Sequence, residues 1–342
     1  MARRNTIKDV AREAGVSVAT VNRVIAGHSN VRPETAARVA EAAQNVNYHG
    51  ANLIKLNMPA NLPTVRMGFV LNKKQQEFYR VFDQNIQQAC ARSTKAICQP
   101  VIEYCHSQAP ADVAEVVRNL ANRVDVMAAT MVNHPTITQA VTELKAKGVE
   151  AFAMLNDFAQ GERICYIGMN NLKIGRGAAH MLAKSAKRPG KIAVFVGGHR
   201  WHGHDLREAG LRGYFREIDK DFRVLDTLVN LETRQVTYEA TIDLLDRHPD
   251  LVGLYVAGGG MEGAIEALRE ERAPGDVALV VNEWTEQTQA ALAEGILSMV
   301  VATPLPALCE RLVALMADAV IGTEAVPGQV FMPPTIHMPE FD

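Results

Sequence analysis

The sequence lacks any run that approaches the ~20 apolar residues of a membrane-spanning helix, which argues against an integral membrane protein. Its opening residues, Met-Ala-Arg-Arg, lack the apolar core of a signal peptide. The five cysteines are odd in number and form no C-x-x-C pair, which argues against a disulfide framework and against a paired-cysteine zinc site. These absences predict a cytoplasmic protein with reduced thiols and no membrane partner.

Charge is nearly balanced overall but unevenly distributed. The 342 residues carry a formal net charge of −2, yet residues 1–60 hold eight basic and four acidic side chains, a net +4 that leaves −6 for the rest. A chain of this length is expected to hold two or three domains. A small basic head on an acidic body suits a polyanionic partner at one end only, such as nucleic acid.

The head carries a two-helix pattern at residues 6–24, TIKDVAREAGVSVATVNRV. Apolar residues at 7, 10, 11 and 14 share one face of a first helix, which Gly15 ends. Ser17 is a good N-cap for a second helix, on which Val21 and Val24 point back at the first. Two short helices joined by a tight turn form a helix-turn-helix, which places the start of its second helix in the DNA major groove.

This segment resembles the DNA-binding head of the LacI/GalR (lac-repressor-type) family of bacterial transcription regulators. The family pattern T-I-x-D-V-A-x-x-A-G-V-S-x-x-T-V-S-R-V differs here only at Asn22, where Ser is usual, and the resemblance continues through a third helix to Tyr48. It implies a ligand-responsive transcription regulator, and we expect a repressor. The resemblance further implies a homodimer, or a tetramer, that binds a pseudo-palindromic double-stranded operator. The resemblance assigns DNA contacts to the following head residues: Thr6, Ser17, Val18, Ala19, Thr20, Asn22 and Arg23.

The outer face of the second helix indicates how bases are read. Val18 and Ala19 have no hydrogen-bonding side chain, so they can contact only apolar features such as a thymine methyl. Arg23 can donate two parallel hydrogen bonds to guanine. Asn22 could pair with adenine or hold a phosphate.

Residues 50–63 break every long pattern and are predicted to be a linker between a head at 1–49 and a body at 64–342. In the family that the head resembles, this region holds a hinge helix that inserts a leucine into the minor groove. The match is poor here, so whether such a helix forms stays open. Leu56 is the candidate wedge and Leu53 the reserve.

The body alternates short apolar strands with helical patterns. Strands are predicted at 65–71, 125–131, 149–155, 191–196, 251–257 and 277–281, and helices at 78–92, 135–147, 172–184, 207–217, 234–246 and 261–270. The alternation predicts an α/β body with parallel sheets, and its ~270 residues suit two lobes. It resembles the effector domain of the same family, which shares the two-lobed fold of type I periplasmic binding proteins, with a ligand between the lobes.

Ligand candidates lie in the loops at strand ends, where α/β sheets bind ligands. Tyr79 is favoured over Phe78, which is better explained as a core residue. Asp157 resembles an acid that accepts from sugar hydroxyls in related binding proteins, although it could equally cap the next element. Arg207 resembles the family arginine that grips the ligand, and its five donors suit vicinal hydroxyls or a carboxylate. Three further candidates are less specific: Glu283, Trp284 and Thr303.

Three histidines and an aspartate crowd residues 199–205, which invites a metal interpretation. No pair has the i, i+4 spacing of a zinc enzyme and no second cluster completes a site, so we predict no metal. His204 is instead predicted to belong to a polar loop at the mouth of the cleft.

Residues 258–263, GGGMEG, satisfy the G-x-G-x-x-G pattern of a dinucleotide site. An NAD(P)-binding dehydrogenase-like enzyme or redox sensor is therefore the alternative function. The favoured interpretation is a turn in which Gly258 and Gly259 bring backbone N–H groups close to a compact ligand. The turn lacks the Asn-Asp usual in the family, so a sugar acid or sugar phosphate gains ground beside a neutral sugar as effector. No nucleophile with a base and no paired carboxylates can be recognised, so we predict neither catalytic residues nor a cofactor.

Overall fold

The structure, a computed structural model, describes residues 5–26, 31–51, 54, 62–218 and 221–341. The chain divides into two compact units, Met1–Pro63 and Thr64–Asp342, called here the head and the body. Within the described residues, no helix is long and apolar enough to cross a membrane.

In the described part of the head, the helices with defined bounds are α1 (Ile7–Glu13), α2 (Val18–Ile25) and α3 (Pro33–Asn45). α1 begins at a capping box, in which the Asp9 carboxylate accepts hydrogen bonds from the Thr6 amide and hydroxyl, both at 2.8 Å. Gly15 makes the turn at a φ of +64°, a conformation that suits glycine. The side chains of Val10, Val21 and Val39, one from each helix, are buried together, so the three helices share one small core.

The first lobe of the body contains six strands: β1 (Thr64–Asn72), β2 (Ile97–Cys105), β3 (Val126–Ala129), β4 (Glu150–Met154), β5 (Cys165–Gly168) and β12 (Gln329–Phe331). They form one parallel sheet in the order β12-β5-β4-β3-β1-β2. Four helices cover it: α4 (Glu77–Arg92), α5 (Pro110–Leu120), α6 (Pro135–Ala146) and α12 (Leu305–Ile321). α4 and α12 bury one face and α5 and α6 the other, which is why β3 is apolar throughout.

The second lobe contains seven strands: β6 (Lys191–Val196), β7 (Arg223–Val224), β8 (Leu228–Val229), β9 (Leu251–Val256), β10 (Ala278–Asn282), β11 (Met299–Ala302) and β13 (Thr335–His337). The sheet order is β13-β11-β10-β9-β6-β7, with β8 also paired to β6 and only β13 antiparallel among the described strands. Five helices pack on it: α7 (Asn171–Ser185), α8 (His202–Glu217), α9 (Arg234–Arg247), α10 (Met261–Glu271) and α11 (Glu286–Ala293).

The chain passes between the lobes three times, from β5 to α7, from β11 to α12 and from β12 to β13. The expected two-lobed α/β body with parallel sheets is therefore present. All six predicted strands occur with ends within two residues, and five of the six predicted helices do too. The exception is α8, which begins at His202 rather than at residue 207. The pattern missed three helices, α5, α11 and α12, and seven strands, β2, β5, β7, β8, β11, β12 and β13. Among them, β2 is an edge strand with Pro100 inside it and a single buried residue, Cys105.

Candidate functional site

The outer face of α2 is open to solvent in the head unit. The Ser17 hydroxyl accepts a hydrogen bond from the Thr20 amide at 3.1 Å, so the helix starts where its cap predicts. Val18 is 38 % exposed, and Ala19, Asn22 and Arg23 are exposed beside it. The Arg23 Nε donates to the Ala19 carbonyl at 3.3 Å, which leaves its guanidinium on this outer face. Leu56 and its reserve Leu53 lie outside the described residues.

The body holds a cleft of about 490 Å³ between its two lobes. Its wall includes residues that directly follow strands of both sheets, among them Thr130, Leu155, Glu283 and Thr303. The carboxyl ends of the two parallel sheets therefore face each other across it, as expected for ligand sites in doubly wound folds. Its volume lies in the range of small-molecule sites, about 300–1,000 Å³. Seven of the nine sequence-predicted ligand residues line it: Tyr79, His204, Arg207, Gly258, Gly259, Glu283 and Thr303.

Arg207 lies in the second turn of α8 and is 9 % exposed. Its Nε donates to the Asn171 side-chain oxygen at 2.7 Å and its Nη1 to the Ala257 carbonyl at 2.6 Å. No described residue accepts a hydrogen bond from its Nη2. A nearly buried guanidinium with two donors fixed by the protein is oriented in advance for an acceptor in the cleft.

The position of Arg207 depends on close packing between α7 and α8. A Cβ built at Gly175 of α7 would lie 1.8 Å from the Arg207 carbonyl oxygen, and one built at Gly210 of α8 would lie 2.2 Å from the Leu172 carbonyl oxygen. Only glycine at both positions lets the two backbones approach so closely. The contact also keeps Asn171, the first residue of α7, within reach of the guanidinium.

His204 is buried in the cleft wall as a neutral imidazole. Burial lowers its pKa to about 4. Its Nδ1 accepts a hydrogen bond from the Gly197 amide at 3.1 Å, so the proton of the neutral ring is on Nε2. That nitrogen lies 3.9 Å from the Glu232 carboxylate. His204 thus presents an N–H donor near a carboxylate acceptor.

Glu232 follows β8 and was not predicted as a site residue. Its carboxylate lines the cleft and pairs with the Lys73 ammonium at 3.1 Å. Burial disfavours its charge, but neighbouring groups, among them the Lys73 ammonium and the Gly259 backbone, outweigh that cost and lower its pKa overall. Two glycines make room for the side chain, because a Cβ at Gly197 would lie 2.5 Å from its Cγ and one at Gly259 would lie 3.1 Å from its Cβ. No apolar pattern marks the two-residue strand before it, which is why the sequence did not single it out.

Glu283 supplies a second carboxylate on the other side of β9. Its Oε1 accepts from the Thr303 hydroxyl at 2.7 Å and its Oε2 from the Thr303 amide at 3.0 Å. Burial raises its pKa, although the Thr303 donors and Arg207 work in the opposite direction. The Thr303 bonds orient the carboxylate toward the cleft that both residues line.

Apolar and aromatic surfaces complete the wall. Tyr79 and Phe78 both line the cleft, although only Tyr79 was favoured. Burial and the charge of Glu232 raise the pKa of Tyr79, so its phenol stays protonated and can donate. Trp201 and Met261 also face the cleft. Flat apolar faces beside paired donors and acceptors suit a ring that carries hydroxyl groups.

Two predicted residues, Asp157 and Trp284, are not brought to the cleft. The Asp157 carboxylate is occupied by the Arg163 Nη2 at 2.8 Å and the Gln160 amide at 2.7 Å, which hold it within the first lobe. The Trp284 ring stacks on His337 with centroids 3.7 Å apart, so it packs on β13. The neighbour of Asp157, Asn156, lines the cleft instead, as does Asn282 before Glu283.

The glycine turn at residues 258–260 serves close packing around protein side chains. A Cβ at Gly258 would lie 2.4 Å from the His204 ring, and Gly260, at φ +89°, has Thr237 and Asn230 against it. A dinucleotide pyrophosphate would have to approach the start of α10 beside the ionised Glu232, which repels it. This arrangement weighs against the dinucleotide interpretation. Across the described part of the chain, no group of three His, Cys, Asp or Glu residues could hold a metal ion.

Comparison with protein families matches two models. Residues 6–50 match the model for bacterial regulatory proteins of the lacI family, and residues 67–324 match that for the periplasmic binding protein domain. The catabolite control protein A of Staphylococcus xylosus is 58 % identical over 43 residues, 13 % of this chain and 13 % of that protein. The transcriptional regulator MalR of Streptococcus pneumoniae is 43 % identical over 75 residues, 22 % of each chain. The matches thus span less than a quarter of these relatives.

Solved structures resemble the body. A solute-binding protein from Agrobacterium vitis, bound with α-D-tagatopyranose, superposes with a TM-score of 0.73 at 17 % identity over 80 % of this chain and 94 % of that one. A solute-binding protein from Burkholderia graminis in complex with D-arabinose superposes with a TM-score of 0.74, again at 17 % identity and with coverage of 80 % and 94 %. At such identities the likeness establishes the fold alone.

Proposed function

The chain belongs to the lacI family of bacterial regulatory proteins and carries a periplasmic-binding-protein domain as its body, and from this premise we propose that it is a sugar-responsive, DNA-binding transcription regulator. One observation carries the proposal above the others. A helix-turn-helix with an exposed reading face and a ligand cleft with an oriented arginine occur in one chain. A reading head joined to a ligand sensor is what effector control of transcription requires.

We propose that the DNA partner is a pseudo-palindromic operator bound by a homodimer. A single head presents one short helix and reads only a half-site, so paired heads supply usable affinity and specificity. Within that helix we assign the guanine contact to Arg23 and thymine contacts to Val18 and Ala19, because they are exposed together on the outer face of α2. Thr6, Ser17, Thr20 and Asn22 are assigned to the backbone and flanking contacts of the same surface. Action in the cytoplasm, where the operator is found, follows from this role.

For the effector we propose a neutral, monosaccharide-sized sugar. Two carboxylates, Glu232 and Glu283, line the same cleft as Arg207, so donors and acceptors face each other as ring hydroxyls require. A sugar phosphate would bring two negative charges beside both carboxylates, which disfavours it. The cleft geometry thus shifts the balance away from the anionic ligand that the missing Asn-Asp pair suggested. Fold neighbours with bound tagatose and arabinose support the same choice.

We propose a binding role without catalysis. The relatives matched at the head are transcription regulators. The two cleft carboxylates are each held by a neighbouring donor, Glu232 by the Lys73 ammonium and Glu283 by the Thr303 hydroxyl. Such pairs hold a ligand in place, and no described nucleophile stands beside a free base among them.

Two assays test the proposal. A thermal-shift panel of neutral pentoses and hexoses, sugar acids, sugar phosphates and NAD(P)(H) should give its largest stabilisation with a neutral sugar. A gel-shift assay with the DNA that flanks the gene should then give a specific complex whose affinity changes with that sugar. Stabilisation by NAD(P)(H) alone, with no DNA complex, would contradict the proposal.

A further inference from the structure

The start of α8 is fastened to the opposite lobe. Residues 198–203, called here the strap, leave β6 of the second lobe and lead into this helix. The Arg200 carbonyl accepts from the Asn133 amide at 3.0 Å, and the Gly203 amide donates to the Asn156 side chain at 2.8 Å. Asn133 follows β3 and Asn156 follows β4, both in the first lobe.

Trp201 is the apolar part of this attachment. Although the second lobe carries it, Trp201 is only 5 % exposed and belongs to the apolar cluster of the first lobe that includes Met131, Val132 and Phe158. Burial of so large an apolar ring in the opposite lobe favours the joined arrangement of the lobes. Trp201 also lines the cleft, so the site where its ring is buried in the first lobe borders the cleft.

A polar contact joins the lobes at a second place. Lys73 directly follows β1 of the first lobe. Its ammonium donates to the Glu232 carboxylate at 3.1 Å and to the Leu231 and Glu232 carbonyls at 3.5 and 3.4 Å. We call this contact the latch. Lys73, Leu231 and Glu232 all have positive φ, at 34°, 52° and 53°. Non-glycine residues adopt this conformation at a cost, and such strain persists where neighbouring contacts hold it in place.

The strap and the latch are connected through the cleft wall. The Trp201 and His204 ring centroids are 5.8 Å apart, and His204 Nε2 lies 3.9 Å from Glu232. The first turn of α8 thus connects Trp201, which is buried in the first lobe, with His204, which lies beside the Glu232 carboxylate that Lys73 binds. Arg207, the oriented donor, lies on the next turn.

We propose that the strap and the latch form a single closing device, which holds the two lobes together and releases both contacts together when they part. Opening the lobes must withdraw Trp201 from the first lobe and break the Lys73–Glu232 pair. Glu232 therefore both joins the lobes and offers an acceptor to the ligand. Any effect of a sugar on this device rests on the proposed function, whereas the device itself depends only on contacts within the body.

The chain contains only two tryptophans, Trp201 and Trp284, so the device can be followed by fluorescence. In a Trp284→Phe background of the full chain, acrylamide quenching and the emission maximum report the exposure of Trp201 without DNA or sugar. Lys73→Ala removes the latch at a distance from the reporter, on a different loop. Lys74→Ala is the matched control, because it removes the same charge from the next residue, which is exposed and near Tyr104.

We expect Lys73→Ala to lower the ratio of closed to open body about fivefold, the effect of roughly 1 kcal/mol. Trp201 quenching should rise and its emission should shift to longer wavelength, while Lys74→Ala leaves both at their starting values. Equal quenching in the Lys73→Ala protein and its parent would overturn the proposal, as would an equal rise in both lysine variants. A Trp201 that is already freely quenched in the parent would overturn it too. Failure to bind any sugar would contradict the proposed function and leave these results unaffected.

Discussion

Replacement of Arg207 by alanine probes the cleft most sharply. Arg207 is 9 % exposed, and its Nε and Nη1 donate to the Asn171 side-chain oxygen and the Ala257 carbonyl at 2.7 and 2.6 Å. Its Nη2 is left to the ligand. One or two charge-assisted hydrogen bonds at about 1.5–3 kcal/mol each predict an affinity loss of roughly 2–4 kcal/mol, about 30- to 700-fold. Operator binding in the absence of sugar should be retained, because no DNA contact is assigned to the cleft.

The same replacement also affects stability, and this effect has to be separated from affinity. Without the guanidinium, the Asn171 and Ala257 oxygens lose their donor, at a cost of about 1–3 kcal/mol for each group that stays unsatisfied. Arg212→Ala is the matched control on the same helix. Arg212 bonds Glu208, the Leu225 carbonyl and Thr227, and it does not line the cleft.

Calorimetric titration with the sugar that gives the largest thermal shift measures affinity, and thermal unfolding measures stability. Both arginine variants should unfold at lower temperature, but only Arg207→Ala should lose sugar affinity. Wild-type affinity in Arg207→Ala would refute the assignment of Arg207 to the site. An equal loss in Arg212→Ala would show that general loosening of α8 is the cause.

Three further outcomes are expected. Arg23→Ala should relax base preference at one guanine of each half-site, costing about 1–3 kcal/mol of discrimination, whereas Arg38→Ala on α3 should leave the base profile of a randomised-site selection unchanged. Gly175→Ala should destabilise the body by about 1–3 kcal/mol and weaken sugar binding, because its Cβ would lie 1.8 Å from the Arg207 carbonyl oxygen. Gly177→Ala on the same helix is the control, since open space surrounds it, and it should be neutral or slightly stabilising in thermal unfolding. The pKa of His204 is about 4 in the folded protein and about 6.5 in the unfolded chain. The unfolded chain therefore binds the proton first as pH falls. About 3 kcal/mol of the free energy of unfolding, present above pH 6.5, should be lost toward pH 4. His204→Gln should reduce that slope in denaturant titrations, and a slope equal to that of the parent protein would count against a neutral, buried His204.

Local patterns predicted the head well because its information is local. Spacing of apolar residues, the Ser17 cap and Gly15 define the helices, and the same spacing leaves Val18, Ala19 and Arg23 on the outside. Alternation of strands and helices likewise predicted the two-lobed body, since parallel strands covered on both faces are apolar throughout.

Prediction of individual cleft residues was weaker because side-chain direction depends on turns. The chain leaves β4 through Leu155 at φ 64°, which carries Asn156 into the cleft and leaves Asp157 to Arg163. Glu283, at φ 73°, separates Asn282 from Trp284 in the same way. Neighbouring residues at a strand end point in different directions, so position in the sequence alone does not select between them.

The residues that join the lobes could not be predicted at all. Lys73 and Glu232 are 159 residues apart and meet only because the lobes face each other. In the sequence, Trp201 lies in a polar loop that follows β6 of the second lobe. Its ring is nevertheless buried in the core of the first lobe. Such contacts depend on tertiary arrangement, for which no short-range pattern exists.

If the head and the cleft are coupled as one switch, DNA and sugar must change each other's affinity, and a reciprocal titration measures this. Operator affinity is measured by fluorescence anisotropy with and without saturating sugar, and sugar affinity by calorimetry with and without saturating operator. Linkage requires that each ligand change the affinity for the other by the same factor. We expect equal factors of about 5- to 150-fold, the range of common allosteric coupling. Tight binding of both ligands with no effect of either on the other would contradict it.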